Sequence, residues 1–158
     1  MPDADLDPLD QAILSRLQVD SRTIAESIGA QVGLSAAAVQ RRIKRLRETG
    51  VIVKEVAVVD PKAVGADMTF VVSVEMERER IEVLEAFRKQ VRTDPAVQQC
   101  YYVTGSADFV LVVVCRNMTE FEAFTRRTFF DNGEVRHFTT SVVMDRVKVG
   151  LTVPLNGG

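Results

Sequence analysis

Residues 32–50 read VGLSAAAVQRRIKRLRETG and decide how the first third of the chain folds. Gly33 can adopt the positive φ that a sharp turn between two helices requires, and Ser35 is a favoured N-cap for the helix that follows. Gly50 is a favoured residue for ending that helix. The stretch therefore predicts the turn and the second helix of a helix-turn-helix unit.

The predicted helix has an apolar side and a basic side. Three apolar residues recur at helical spacing and are expected to pack on preceding helices, namely Val39, Ile43 and Leu46. Five basic residues and no acid lie between residues 36 and 47, namely Arg41, Arg42, Lys44, Arg45 and Arg47. Such a run is often only the solvated face of an amphipathic helix. The turn and the capped helix before it favour DNA binding instead.

A helix of this kind fits the major groove of duplex DNA, where Gln and Arg side chains read base edges and Lys and Arg neutralise phosphates. Small residues at the start of the helix would let its backbone approach the DNA. The residues predicted to contact double-stranded DNA are Ser35, Ala36, Ala37, Gln40, Arg41, Lys44 and Arg45.

The chain as a whole is not basic. Its 158 residues carry 20 Lys and Arg against 22 Asp and Glu, so the local cluster must supply the attraction to DNA, which favours a selective, oligomeric reader. An acidic N-terminus and the lack of a long apolar run predict a cytoplasmic protein without a membrane partner. Cys100 and Cys115 lack CxxC spacing and are predicted to be reduced core residues, so neither a metal nor another cofactor is expected.

Two further helices are predicted before the turn. Asp7 and Pro8 indicate an N-cap and first-turn proline, and the helix is expected to run to about Val19. A second helix is predicted from Thr23, which forms a capping-box pattern with Glu26. Residues 1–52 are therefore predicted to form a helix-turn-helix (winged-helix-like) DNA-binding domain.

The remaining chain alternates strands and helices. Residues 53–67 are predicted to be a linking strand and connection, because the stretch is rich in β-branched residues and stops near Pro61. From residue 68 the expected order is strand, helix, strand (97–104), strand (109–115), helix and a long strand (135–149), with Thr119 capping the last helix. This order predicts an α+β protein whose residues 68–158 form a ferredoxin-like βαββαβ domain.

One face of that sheet is expected to lack a helix. Exposed apolar residues there, such as Val71, Val103 and Val142, are expected to be covered, and a second copy of the chain is the expected cover. The domain is therefore predicted to be the dimerisation unit.

Four segments together resemble one family: LDPLDQAILSRLQVDSR, VGLSAAAVQRRIKRLRETGVI, YYVTGSADFVL and SVVMDRVK. In order and spacing the chain is similar to bacterial and archaeal Lrp/AsnC-type (feast/famine) transcriptional regulators. The resemblance implies a helix-turn-helix domain, a linking strand and a ferredoxin-like domain that forms homodimers and often octamers. It also implies an amino acid or related small-molecule effector, bound between dimers. One departure is Gly29, where the family usually has a small helix former; we expect it to cost about 1 kcal/mol of helix stability relative to Ala.

The resemblance also implies an effector site around the loop 104–108. Gly105 and Asp108 match the family pattern, whereas Ser106 and Ala107 do not. Asp108 would bind the ammonium group of an amino acid and the amides near Gly105 its carboxylate. The implied effector-binding residues are Tyr102, Thr104, Gly105, Asp108, Met118, Ser141, Val142 and Val143. Alternatives remain open: Asp108 as a turn cap, and Ala107 as the mark of an enlarged or a lost pocket.

The leading hypothesis is a sequence-specific transcriptional regulator whose DNA binding or assembly responds to a small metabolite. One alternative is a metabolite-binding or assembly module that no longer reads DNA. The other is a small ferredoxin-like enzyme, which is disfavoured because His137, the sole histidine, has no companion residues for a triad or a metal.

Overall fold

The computed structural model describes residues 6–78 and 80–155. They form two compact units: one runs to Val58 and also includes the chain from Lys148, and the other spans Val59–Val147. The C-terminal tail thus groups with the helix-turn-helix unit, whereas the predicted boundaries assign it to the second domain. Gln18 binds this tail: its side-chain amide donates to the Val153 carbonyl at 3.2 Å and accepts from the Val153 N–H at 2.8 Å.

The first unit contains the three predicted helices, α1 (Pro8–Leu17), α2 (Ala25–Val32) and α3 (Ala36–Glu48). Apolar residues from all three form one buried cluster, which includes Ile13, Ala25, Ile28, Val39 and Ile43. The apolar side predicted for α3 is therefore confirmed, and the helix-turn-helix prediction with it. No β-hairpin wing forms among the described residues of this unit.

The helix caps agree with the sequence at two of three starts. Asp7 caps α1 and forms a reciprocal pair of hydrogen bonds with Asp10, and the Ser35 hydroxyl caps α3 by accepting from the Ala38 N–H at 3.2 Å. The capping box predicted at Thr23 is wrong. The N-cap of α2 is Ile24, and the Thr23 hydroxyl donates instead to the Asp20 carbonyl at 2.8 Å.

The turn between α2 and α3 is built on two glycines. Gly33 has a φ of 73°, the left-handed conformation predicted for it. The carbonyl of Gly29 accepts hydrogen bonds from the N–H groups of Gly33 and Leu34, so the turn folds back over Gly29. Beyond its predicted cost in helix stability, Gly29 therefore makes room for the turn, because a Cβ atom at this position would overlap the Leu34 carbonyl. At the other end of α3 the C-cap is Thr49, and Gly50 follows it with a left-handed φ of 75°, as predicted for the glycine that ends the helix.

The linking strand predicted within residues 53–67 is not present in the described chain. The sole regular element in this stretch is a short 3₁₀ turn, Lys62–Val64. β-branched residues favour extended backbone, but a strand also needs a neighbouring backbone to receive its hydrogen bonds. The segment finds none among residues 6–78 and 80–155, and valines such as Val53 and Val58 are about nine-tenths exposed.

The second unit has the predicted order of elements. They are β1 (Met68–Met76), α4 (Ile81–Thr93), β2 (Val97–Tyr102), β3 (Phe109–Cys115), α5 (Met118–Thr125), which continues into a π-helical turn over Arg126–Phe130, and β4 (Val135–Val142). The four strands form one antiparallel sheet in the order β2-β3-β1-β4. This is the ferredoxin-like βαββαβ arrangement, so the predicted fold class is confirmed.

Both helices pack on one face of the sheet. Phe70 stacks on Phe121 of α5 with ring centroids 3.7 Å apart, and Phe87 of α4 lies 4.8 Å from Phe109. Every second residue of β1 and β3 belongs to this core, from Phe70 to Met76 and from Phe109 to Cys115. Cys115 is buried there and Cys100 is partly buried, and both are free thiols.

The opposite face of the sheet, called the open face below, receives neither α4 nor α5. By strand register it carries Val71, Ser73, Val110, Val112, Val114 and Ser141, and the four valines are only partly buried. Val71 thus lies on the face predicted for it. Val142 does not, because it pairs with Phe70 and therefore points to the helix-covered side. Val103 follows the end of β2.

Three local predictions in this unit are also wrong. Asn117, rather than Thr119, caps α5 by accepting from the Glu120 N–H at 2.9 Å. The second strand ends at Tyr102 instead of residue 104, and the last strand ends at Val142 instead of residue 149. Of the helices in the described residues, none is long and apolar enough to cross a membrane.

Candidate functional site

The predicted DNA-contacting residues lie on one exposed side of the headpiece. Ser35, Ala37, Gln40, Arg41, Lys44 and Arg45 are all exposed, and Ala36 is partly buried. The buried positions of α3 are Val39, Ile43 and Leu46, so the helix presents the basic side outward as its periodicity requires. The structure therefore brings this set together on one surface.

More of the basic residues of α3 are paired with carboxylates than the sequence predicts. Arg42 pairs with Asp7 at 2.6 Å and with Asp10 at 2.8 Å, and Arg45 also pairs with Asp10. Arg47 pairs with Glu55 at 2.9 Å. An acid-free stretch of sequence is thus not an acid-free surface, because these carboxylates come from α1 and from the segment after α3.

Among the basic residues of α3, Lys44 and Arg41 are the least engaged in ion pairs. The Lys44 ammonium lies 3.8 Å from Glu48, and both side chains are more than three-fifths exposed, so this pair contributes little. Arg41 has no carboxylate within salt-bridge distance among residues 6–78 and 80–155. The positive surface available to a phosphate backbone therefore centres on Arg41 and Lys44, with Gln40 beside them and half of Arg45 exposed.

This arrangement shifts the pKa values of Asp7 and Arg42. The N–H of Asp10 and then the Arg42 guanidinium hold the pKa of Asp7 below its usual value, because both stabilise the charged form. The same contact, first with Asp7 and then with Asp10, raises the pKa of Arg42. The sequence identifies Asp7 as an N-cap, but the pairing of Asp7 and Asp10 with α3 is encoded by no local pattern.

The loop 104–108, where the resemblance implies an effector site, lies between β2 and β3 and is held by Asp108. The Asp108 Oδ2 accepts from the Met76 N–H at 2.7 Å, and the Asp108 N–H donates to the Val74 carbonyl at 2.9 Å. The register of β1 with β4 shifts between Glu75 and Met76, so Asp108 supports a β-bulge. Its carboxylate thus binds the backbone of β1 and not that of its own turn, which was the alternative left open by the sequence, and its second oxygen has no hydrogen bond among the described residues.

The structure does not bring all eight implied effector residues together within one chain. The loop with Thr104, Gly105 and Asp108 lies at the Met76 end of β1, whereas Val142 pairs with Phe70 and Val143 donates to the Thr69 carbonyl at the other end. Ser141 lies on the open face at that end, and Met118 begins α5 directly after β3. Two groups therefore exist, separated by about 13 Å of strand from Phe70 to Val74.

Tyr102 belongs near the loop but points toward the helices. It pairs with Phe109 in the sheet, their rings lie 5.2 Å apart, and the Arg88 guanidinium lies 4.8 Å above the Tyr102 ring. Its side chain is half exposed, at 51%. His137 is exposed on β4, with Thr139 at 3.4 Å. Within the part of the chain that the structure describes, no three His, Cys, Asp or Glu side chains are grouped to hold a metal ion.

Comparison with known proteins identifies both units. Residues 6–47 match the AsnC-type helix-turn-helix domain, and residues 69–153 match the Lrp/AsnC ligand binding domain. An uncharacterised HTH-type transcriptional regulator of Sinorhizobium fredii is 46% identical over 151 residues, which cover 96% of this chain and 89% of the relative.

Two solved structures have the same fold over nearly their whole length. An AsnC family transcriptional regulator from Agrobacterium tumefaciens is 33% identical with a TM-score of 0.87, covering 94% of this chain and 96% of the other. A transcriptional regulator from Neisseria meningitidis, solved as a complex with L-Met, is 28% identical with a TM-score of 0.88, covering 96% and 97%. The chain belongs to the Lrp/AsnC family of transcriptional regulators.

Proposed function

We propose that this regulator reads duplex DNA through the exposed side of α3, with Gln40, Arg41 and Lys44 at its centre. The observation that carries the proposal is that these side chains project from a capped helix, directly after a tight helix-turn-helix turn, while the apolar side of that helix is buried. Ser35, Ala36, Ala37 and Arg45 border the same surface. Arg41 and Lys44 would neutralise phosphates, and Gln40 can donate to and accept from a base edge.

The test replaces Arg41 and Lys44 together by Ala. Binding is measured to DNA sites that footprinting with the unmodified protein has identified. Loss of binding, with an unchanged oligomer on sedimentation, supports the proposal. The matched control is Arg16→Ala with Arg22→Ala, which removes the same charge from exposed positions of the headpiece away from α3. Equal binding by the R41A/K44A protein and the unmodified protein would refute this assignment.

We propose further that an amino acid is the effector. The related Neisseria meningitidis regulator was solved with L-Met, and the loop around Gly105 and Asp108 offers backbone amides and a carboxylate for the two ends of such a ligand. Because the two groups of effector residues lie at opposite ends of β1, a site that used both would be assembled from different copies of the chain. A thermal-shift screen of amino acids, followed by DNA binding with and without each hit, tests this.

The open face is the proposed contact between two copies in a homodimer. Its valines are only partly buried and are covered by neither α4 nor α5, and an antiparallel sheet with one apolar face needs a cover. Val112→Glu should therefore lower the sedimenting mass, whereas Val19→Glu on the headpiece should not. The proposal extends to assembly of the dimers into an octamer, and to action in the cytoplasm, as a regulator and not an enzyme.

A further inference from the structure

The carboxylate of Asp10 lies in the first helix, but both of its charged partners lie in the third. Its side chain is fully buried. The Oδ1 atom accepts from Arg42 Nη1 at 2.8 Å, and Oδ2 accepts from Arg45 Nη2. A buried carboxylate is costly unless it is paired, so its geometry is fixed tightly by these two guanidinium groups.

The two arginines are used differently. Arg42 is only 24% exposed, and its Nη1 also donates to Asp7 at 2.6 Å, so its guanidinium joins α3 to α1. Arg45 is 50% exposed, and Nη2 is its one nitrogen with a hydrogen-bond partner among the described residues. Arg45 also lies one helical turn after Arg41, on the exposed side of α3.

We propose that Asp10 is a positioning residue for DNA recognition, which holds one end of the Arg45 guanidinium so that its remaining N–H donors face a guanine edge. The inference rests on the proposed function of α3 as the DNA-reading helix. A guanidinium is planar and rigid, so fixing one nitrogen fixes the direction of the others. Arg bound to guanine is the commonest specific contact in the major groove, and it depends on that direction.

Charge alone leads to the opposite expectation. Asp10 cancels positive charge next to the DNA-facing side, so its removal should strengthen binding to any duplex if electrostatic attraction were its whole effect. The proposal instead requires that specific binding weakens while non-specific binding does not. The ratio of the two affinities therefore separates positioning from charge.

The experiment compares Asp10→Asn with Glu55→Gln in the full chain. Each variant removes one negative charge from an ion pair with an α3 arginine, but Glu55 meets Arg47, which is outside the proposed reading surface. The probes are a duplex enriched from a random pool by the unmodified protein and a scrambled duplex of equal length. We expect D10N to lower the ratio of specific to non-specific affinity by about five- to 150-fold, and E55Q to leave it unchanged.

A merely structural role for Asp10 is distinguished by repeating the enrichment with the variants. D10N and Arg45→Ala should lose preference at the same base pair, and D10N should have no further effect on the ratio in an R45A background. Where D10N fails to fold, as judged by circular dichroism, Arg45→Lys replaces it, because it keeps the charge and removes the planar fork.

Three results would overturn the proposal: an unchanged ratio in D10N, loss of preference at base pairs different from those of R45A, or full retention of specificity by R45K. A failure of the unmodified protein to enrich any sequence would instead contradict the proposed function itself. The two failures are therefore distinguishable in one series of measurements.

Discussion

A Cβ atom built on Gly29 would lie 2.3 Å from the carbonyl oxygen of Leu34. Carbon and oxygen atoms that are not bonded do not approach so closely, and the contact is with backbone of the turn, which cannot rotate away. The α2 helix and the helix-turn-helix turn are therefore in contact at a position where only glycine fits.

Gly29→Ala should lower the stability of the headpiece, although Ala is the better helix former. The overlap with Leu34 must be relieved by moving the turn, and overpacking costs about 1–3 kcal/mol. A 2.3 Å approach to backbone places this overlap toward the upper end of that range, above the roughly 1 kcal/mol of helix propensity gained. Urea unfolding followed by circular dichroism measures the change. Ala30→Gly, at an exposed position of the same helix, calibrates the propensity effect. A more stable G29A protein would show that the turn is not held against Gly29.

Asp7 should make the stability of the headpiece depend on pH in the acid range. Its pKa is lowered in the folded state by the Asp10 N–H and by Arg42, so its contribution is present above the unfolded value of 3.8 and is lost as the pH falls through the lower folded value. Thermal unfolding between pH 2 and pH 7 is the measurement. Asp7→Asn keeps an N-cap but removes the charge, so the difference between the two proteins should vanish at the acid end. A constant difference would contradict the assignment.

The contact between Gln18 and the C-terminal tail should be measurable by hydrogen exchange at one backbone amide. Gln18 binds both backbone groups of Val153, so Gln18→Ala should release the segment and speed hydrogen exchange at the Val153 amide. Loss of one hydrogen bond worth about 1 kcal/mol corresponds to a change of about fivefold. Gln40→Ala, an exposed position of α3, serves as the control. Equal exchange in Q18A and in the unmodified protein would mean that the tail is held by other contacts.

Local signals account for most of what the sequence predicted. Ser35 and Asp7 are caps because a short polar side chain next to an apolar repeat meets the first N–H groups of a helix, and this is decided within four residues. Thr23 has the same pattern, but its hydroxyl is taken by Asp20. The backbone N–H of Thr23 donates to the same Asp20 carbonyl, so residues 20–23 form a turn and the helix begins one residue later than the pattern predicts, with Ile24 as its N-cap.

Long-range pairing accounts for most of what could not be predicted. The contact of Asp10 with Arg42 and Arg45 joins residues more than thirty positions apart, and it alters the charge of the candidate DNA-binding surface. The face occupied by Val142 depends on the register with Phe70, in which a shift of one residue reverses every side chain. The periodicity of one strand does not contain this information.

Substitutions of Asp108 separate its role in stabilising the sheet from its proposed role in binding a ligand. Its carboxylate accepts from the Met76 N–H at 2.7 Å, and an asparagine oxygen can accept the same bond. Asp108→Asn should therefore keep the unfolding free energy within about 0.5 kcal/mol, whereas Asp108→Ala, which leaves that N–H unpaired, should lower it by about 1–3 kcal/mol. Urea unfolding of the two variants measures this difference.

The same pair of variants then tests the effector site. If the carboxylate meets the ammonium group of an amino acid, D108N removes the charge that attracts it, and the thermal shift produced by a bound amino acid should disappear in a protein of unchanged stability. Ser106→Ala is the matched control, because it alters an exposed side chain of the same loop that is not among the implied effector-binding residues, without changing charge. A full thermal shift in D108N would mean that Asp108 supports the β-bulge alone, and that the ammonium group is bound by other atoms.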